Sequence, residues 1–119
     1  MIEGRCHCGR ISWQLRAEPE WLTRCNCSYC RRSGALWAHA DIADITIAGA
    51  GDGDVRYVQG DGTLAFVSCG RCGCTTHWES TDPAAGSRMA VNMNMADPEA
   101  LEGRRIRHFD GAESWTFLD

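Results

Sequence analysis

Apolar and polar residues alternate along much of the chain, which is the period of strands with one face buried and the other exposed. In residues 10–16, Ile11, Trp13 and Leu15 fall on one side and Ser12, Gln14 and Arg16 on the other. Residues 35–42 follow the same rule, with Leu36, Ala38, Ala40 and Ile42 opposite Trp37, His39 and Asp41, and residues 45–47 continue the pattern after a short break. Residues 55–58 and 64–68 read as a hairpin about Gln59-Gly60-Asp61-Gly62. Residues 75–79, 89–95, 105–109 and 115–118 are further strand candidates at the spacing of an all-β domain.

Helical signals are few. Asp97-Pro98-Glu99-Ala100-Leu101-Glu102-Gly103 offers an N-cap, a first-turn proline and a closing glycine, enough for one or two turns. Residues 28–33 are a second short candidate. The stretch GAGDGD, residues 49–54, reads as a turn, because glycine tolerates positive φ and aspartate caps its own backbone. The alternation assigns Met89, Met93 and Met95, and the tryptophans, to the core.

Composition narrows the class. With 119 residues, 44% apolar and 24% charged, the chain suits one compact domain over residues 1–119 and shows no disordered tract. The N-terminus carries no apolar signal-peptide run and no stretch is long enough to span a bilayer, so the expected location is cytoplasmic. A net charge of −4 argues against a nucleic-acid footprint, leaving Arg104, Arg105 and Arg107 as the one strip that phosphate would need.

Eight cysteines change the picture most. In a chain without an export signal, CxC and CxxC spacings favour metal over disulfides, since they bring two sulfurs to about 3.5–4 Å, as tetrahedral zinc requires. The groups are Cys6 and Cys8; Cys25, Cys27 and Cys30; and Cys69, Cys72 and Cys74. A sheet that sets residue 7 beside residue 70 would complete a closed, structural site from Cys6, Cys8, Cys69 and Cys72. Cys25, Cys27 and Cys30 would then stand alone, three ligands with a fourth position open to water or substrate, as in a catalytic zinc.

GRCHCGRISW, RCNCSYCRRSGA and CGRCG, in that order, resemble the glutathione-dependent formaldehyde-activating enzyme family, which includes centromere protein V, from about Gly4 to Trp115. The resemblance implies an all-β, Mss4-like zinc-binding fold with two zinc ions per chain. Cys6, Cys8, Cys69 and Cys72 match the structural set and Cys25, Cys27 and Cys30 the catalytic set. It also implies a carbon–sulfur lyase type of activity, the reversible addition of glutathione to formaldehyde. Arg31 and Arg32 are candidates to meet the carboxylates of the glutathione co-substrate, or else belong to a solvated helix end.

Two features depart from the family pattern. Cys74 stands where threonine or serine is more usual and reads as a buried free thiol, as a fourth ligand closing one site, or as a substitute for Cys69 or Cys72. Phe66-Val67-Ser68 replaces an expected arginine-and-aromatic lead. His7, His39, His77 and His108 stand at no required ligand spacing and are assigned ordinary structural roles. The competing function is a non-catalytic binding module in which both metal sites are structural.

Overall fold

In a computed structural model, which describes residues 1–82, 84 and 86–119, the alternating segments become two sheets. Strands β1 (Ile2–Arg5), β2 (Ser12–Leu15) and β5 (Ile45–Ala48) form a three-stranded antiparallel sheet in the order β1-β2-β5. The larger sheet also contains β3 (Leu22–Cys25), β4 (Trp37–Asp41), β6 (Val55–Val58), β7 (Leu64–Ser68), β8 (Thr75–Ser80), β9 (Arg88–Asn92) and β10 (Ile106–Phe109). Its order is β10-β3-β4-β9-β8-β7-β6. Its pairings are antiparallel except for β10 beside β3, which run parallel.

One core unites the sheets. Trp13, Leu15 and Ile45 from the small sheet pack with Leu22, Ala38, Val91 and the neighbouring Met93. On β4 the alternation is strict, yet both faces are covered: Ala38 enters this core while Trp37, 2% exposed, joins Cys30, Phe66 and Ala90 on the other face. The side of β4 that looked solvent-facing in the sequence is the floor of a cleft.

Helix is as scarce as expected. Helix α1 (Ser28–Ser33) is capped by Cys27 and closed by Gly34 at φ 70, a left-handed position that glycine adopts without steric cost. Tyr29 fixes α1 to the sheet by stacking on Phe66 at 3.8 Å and hydrogen-bonding Thr75 Oγ1 at 3.2 Å. Ile42–Asp44, Met93–Met95 and Pro98–Leu101 are single 3-10 turns.

Three differences from the sequence expectations have local causes. The strand expected over residues 89–95 ends at Asn92, whose side chain accepts from Asn94 N and turns the chain. Residues 115–118 are not a strand: Trp115 has φ 58, and only a single bridge joins Phe117 to Phe109. The strands β1 and β3 were not expected, because four residues of β1 alternate too briefly and β3 ends inside a cysteine motif. Among the described residues, no helix is long and apolar enough to cross a membrane.

Candidate metal centre

The fold gathers the cysteines into two groups. The sulfurs of Cys6, Cys8, Cys69 and Cys72 lie within 4.8 Å of one another, and so do those of Cys25, Cys27 and Cys30. In the first group Cys8 Sγ is 3.7 Å from Cys6 Sγ and 3.6 Å from Cys69 Sγ. Tetrahedral bonds of about 2.3 Å place sulfurs about 3.8 Å apart, so the donor set fits zinc.

The backbone favours thiolates there. Ile11 N donates to Cys6 Sγ at 3.3 Å and Arg71 N to Cys69 Sγ at 3.4 Å. Amides of Cys74 and Cys8 point at Cys72 and bring its thiol down to about 5. The GAGDGD segment supplies a tie that its composition did not announce: Asp54 pairs with Arg10 and accepts from Gly70 N at 2.9 Å. One carboxylate thus joins the residues following Cys8 and Cys69, the two halves of the site.

Cys74 contributes its amide rather than its sulfur. It packs beside Cys6, Ile11, Val67 and Cys69, its carbonyl accepts from Cys69 N at 2.9 Å, and it is not a member of either metal-capable group. Among the described residues the group of Cys25, Cys27 and Cys30 contains no fourth cysteine, histidine or carboxylate.

The three-cysteine group forms where β3 turns into α1. Cys25 closes the strand, Cys27 caps the helix by accepting from Cys30 N at 3.3 Å, and Cys30 points back from the first turn. Cys27 N donates to Cys25 Sγ at 3.4 Å, and Trp37 Nε1 to Cys30 Sγ at 3.3 Å. A hydrogen bond from Cys30, with help from the amides of Cys27 and Gly111, pulls the Cys25 thiol down to about 6. The same contact with Cys25, with burial, pushes Cys30 up. Without a cation the trio therefore shares its charge unequally, and a cation would relieve that conflict.

Gly111 lies close against the trio at the cleft wall. A Cβ there would sit 2.8 Å from Cys25 Sγ and 3.2 Å from Cys27 Cβ, so no larger residue fits without moving a sulfur. Gly111→Ala should therefore weaken metal at this group by about 10–100-fold while the four-cysteine group keeps its ion. Competition with a chromophoric chelator measures this as one retained and one weakened equivalent; two unchanged equivalents would show that the close approach does not matter.

Cys25, Cys27 and Cys30 line a cleft of about 1010 Å³ that runs over Trp37 and Phe66 to Trp78. His39 also lines it, held neutral because burial, and then Arg88, push its imidazole down to about 4. A smaller hollow of about 480 Å³ also reaches Cys25 and Cys30 and is bordered by Arg24 and Arg31. Arg32 borders neither space and donates to Ser28 O at 2.8 Å.

Two of the other histidines and two arginines of the second strip have structural partners. His77 is buried against Thr76 Oγ1 at 2.8 Å, and His108 meets Asp119 at 2.8 Å. His7 is exposed. Arg104 is tied to Glu18, and Arg107 lies 4.6 Å over the Trp21 ring and 4.0 Å over the Phe117 ring, so the strip does not present one continuous set of free cations. The tryptophans divide differently from the sequence expectation. Trp13 and Trp37 are core, Trp37 also forming the cleft floor, and Trp78 packs partly buried against the core, whereas Trp21 and Trp115 line the cleft from outside the core.

The family model described as glutathione-dependent formaldehyde-activating enzyme matches residues 1–109. A crystal structure of a Rhodobacter sphaeroides protein superposes with a TM-score of 0.70 at 28% identity, covering 88% of this chain and 99% of that one. No curated protein matches.

Proposed function

Because the chain belongs to the glutathione-dependent formaldehyde-activating enzyme family, we propose that it is a zinc-dependent enzyme of the carbon–sulfur lyase type. Residues 1–119 would act as one zinc-binding domain that adds glutathione or another thiol reversibly to formaldehyde or a similar small electrophile. The observation that carries this reading is the contrast between the two cysteine groups: four sulfurs in one, and three facing a cleft in the other. Cys6, Cys8, Cys69 and Cys72 would hold a structural zinc, and Cys25, Cys27 and Cys30 a second one. Zinc at the second site would keep an incoming thiol ionised at neutral pH and so ready to attack a carbonyl.

The chain's own residues do the rest. The cleft gives the thiol and the aldehyde a common approach to the cysteine trio. Gly111 and the Cys27 cap fix the positions of Cys25 and Cys30. Neutral His39 offers hydrogen bonding without added charge, which suits a carbonyl oxygen that becomes an alkoxide. Arg88 at the cleft and Arg31 at the smaller hollow are the cations placed to meet glutathione carboxylates.

Zinc-edge X-ray absorption on protein carrying two equivalents of zinc tests the open position. Without thiol the average is expected to be about 3.5 sulfurs per zinc, the mean of four and three, rising to about 4 with saturating glutathione. Four sulfurs per zinc before glutathione is added would instead support a binding module with two closed sites.

A further inference from the structure

The cleft is more aromatic than a one-carbon aldehyde needs. Four of the five tryptophans in the chain line it. Two of its wall residues, Trp115 and Phe117, belong to a C-terminal segment that lies beyond residue 109, where the family match ends. We infer that the electrophile this cleft selects is a flat, apolar carbonyl compound such as an aryl aldehyde, and that Trp115 and Phe117 determine this specificity. The inference rests on the thiol-addition reading above and names the other half of its substrate.

The segment is built as a wall. Asp110 accepts from Asn26 Nδ2 at 3.0 Å and from Ser114 Oγ at 2.8 Å, while Ala112 N donates to Asn26 Oδ1 at 3.0 Å. Asn26 lies between Cys25 and Cys27, so these bonds hold the wall at a fixed place relative to the sulfur trio. At the far end Leu118 N donates to His108 O at 2.8 Å, and Arg107 lies over the Phe117 ring.

Between these anchors Trp115 is 71% exposed although it lines the cleft. Its edge-to-face contact with Phe109, centroids 5.1 Å apart, orients the ring but leaves most of its surface uncovered. A large aromatic surface held in this way gains from covering by another flat apolar group, through area removed from water and through ring stacking. Formaldehyde has no such surface to offer.

Charge points the same way. Glu20 and Asp61 line the cleft against Arg88, so it does not favour a ligand whose two ends both carry carboxylates deep inside it. The thiol's anionic end is better placed toward Arg88 or the smaller hollow, with the carbonyl half on the tryptophans. The chemistry is unchanged: the sulfur pair forms the S–C bond, the carbonyl π pair moves onto oxygen, and that oxygen gains the proton lost by the thiol. No group is oxidised or reduced.

Calorimetric titration of zinc-loaded protein with two stable thioethers, S-benzylglutathione and S-methylglutathione, tests the inference. The benzyl compound is expected to bind at least about tenfold more tightly. Trp115→Ala should reduce it to the level of the methyl compound without weakening the latter, and Trp115→Phe should restore most of the difference. Equal binding of the two by native protein, or equal weakening of both by Trp115→Ala, would overturn it, as would failure of both to bind. Glutathione–formaldehyde exchange measured on the same sample separates the two readings: exchange without a benzyl preference removes only this inference, and absence of both removes the thiol-addition reading as well.

Discussion

Cys69→Ser is expected to lower the melting temperature by at least about 20 °C. Cys69 is 1% exposed, with its sulfur 3.6 Å from Cys8 and an amide donor from Arg71. Closed zinc sites contribute on the order of 10–16 kcal/mol of binding free energy, whereas whole domains are stable by only about 5–15 kcal/mol. Near the melting point, about 1 kcal/mol corresponds to several degrees in a domain of this size. The site joins the turn after β1 to the turn after β7, and therefore the small sheet to the large one. Thermal melts followed by circular dichroism measure the effect. A strong chelator should lower the native protein by a similar amount, and returned zinc should restore the native protein but not the variant. A shift below about 5 °C would mean that Asp54 and the shared core hold the two halves without metal.

Cys27→Ser is expected to do the opposite, leaving the fold intact and reducing thiol–aldehyde exchange by at least about a hundredfold. The Cys27 sulfur has two places in the structure, as cap for α1 and as member of the three-cysteine group. A serine hydroxyl fills the first well, since serine is among the favoured N-caps, but it does not supply a thiolate. Alanine would remove both and confuse them, with a cap loss of about 1 kcal/mol. The melting curve of Cys27→Ser should stay within a few degrees of native while one of two equivalents of zinc is lost. Retained exchange at near-native rate would place the reaction away from this trio.

Much of the large sheet was legible because its strands are short apolar-rich or alternating runs bounded by turn residues. Val55–Val58 and Leu64–Ser68 fall where the pattern places them, and the Gly-rich turn between them needs no tertiary help. The two cysteine groups were legible for a different reason: CxC and CxxC spacings constrain sulfur geometry locally, so only the pairing of the first and last motifs needed the fold. Periodicity could not show that both faces of β4 are covered, because a cleft floor and a solvent face carry the same alternation when Trp37 and His39 occupy it. Nor could it show the part played by Asp54, Gly111 and Trp115. Asp54 is one of several turn aspartates, and its bridge to Arg10 and Gly70 exists only once two distant knuckles meet. Gly111 is 81 to 86 residues from the sulfurs it backs, and only its missing Cβ, 2.8 Å from Cys25 Sγ, reveals the demand.

The C-terminal segment was misread as a strand because its aromatics alternate through Trp115 and Phe117. Its structure answers to contacts instead: Trp115 against Phe109, and Phe117 beneath Arg107. Cys74 shows the reverse case, a cysteine whose amide and carbonyl serve the four-sulfur site while its thiol belongs to neither group. The three-cysteine group is thereby free of it.

The most direct test of the proposed chemistry is two-dimensional exchange NMR on an equilibrium mixture of glutathione and formaldehyde. Folded, zinc-loaded native protein is expected to accelerate interconversion with S-hydroxymethylglutathione well above the uncatalysed rate. An exchange rate unchanged from buffer, with both zinc equivalents in place and the fold verified, would contradict the account.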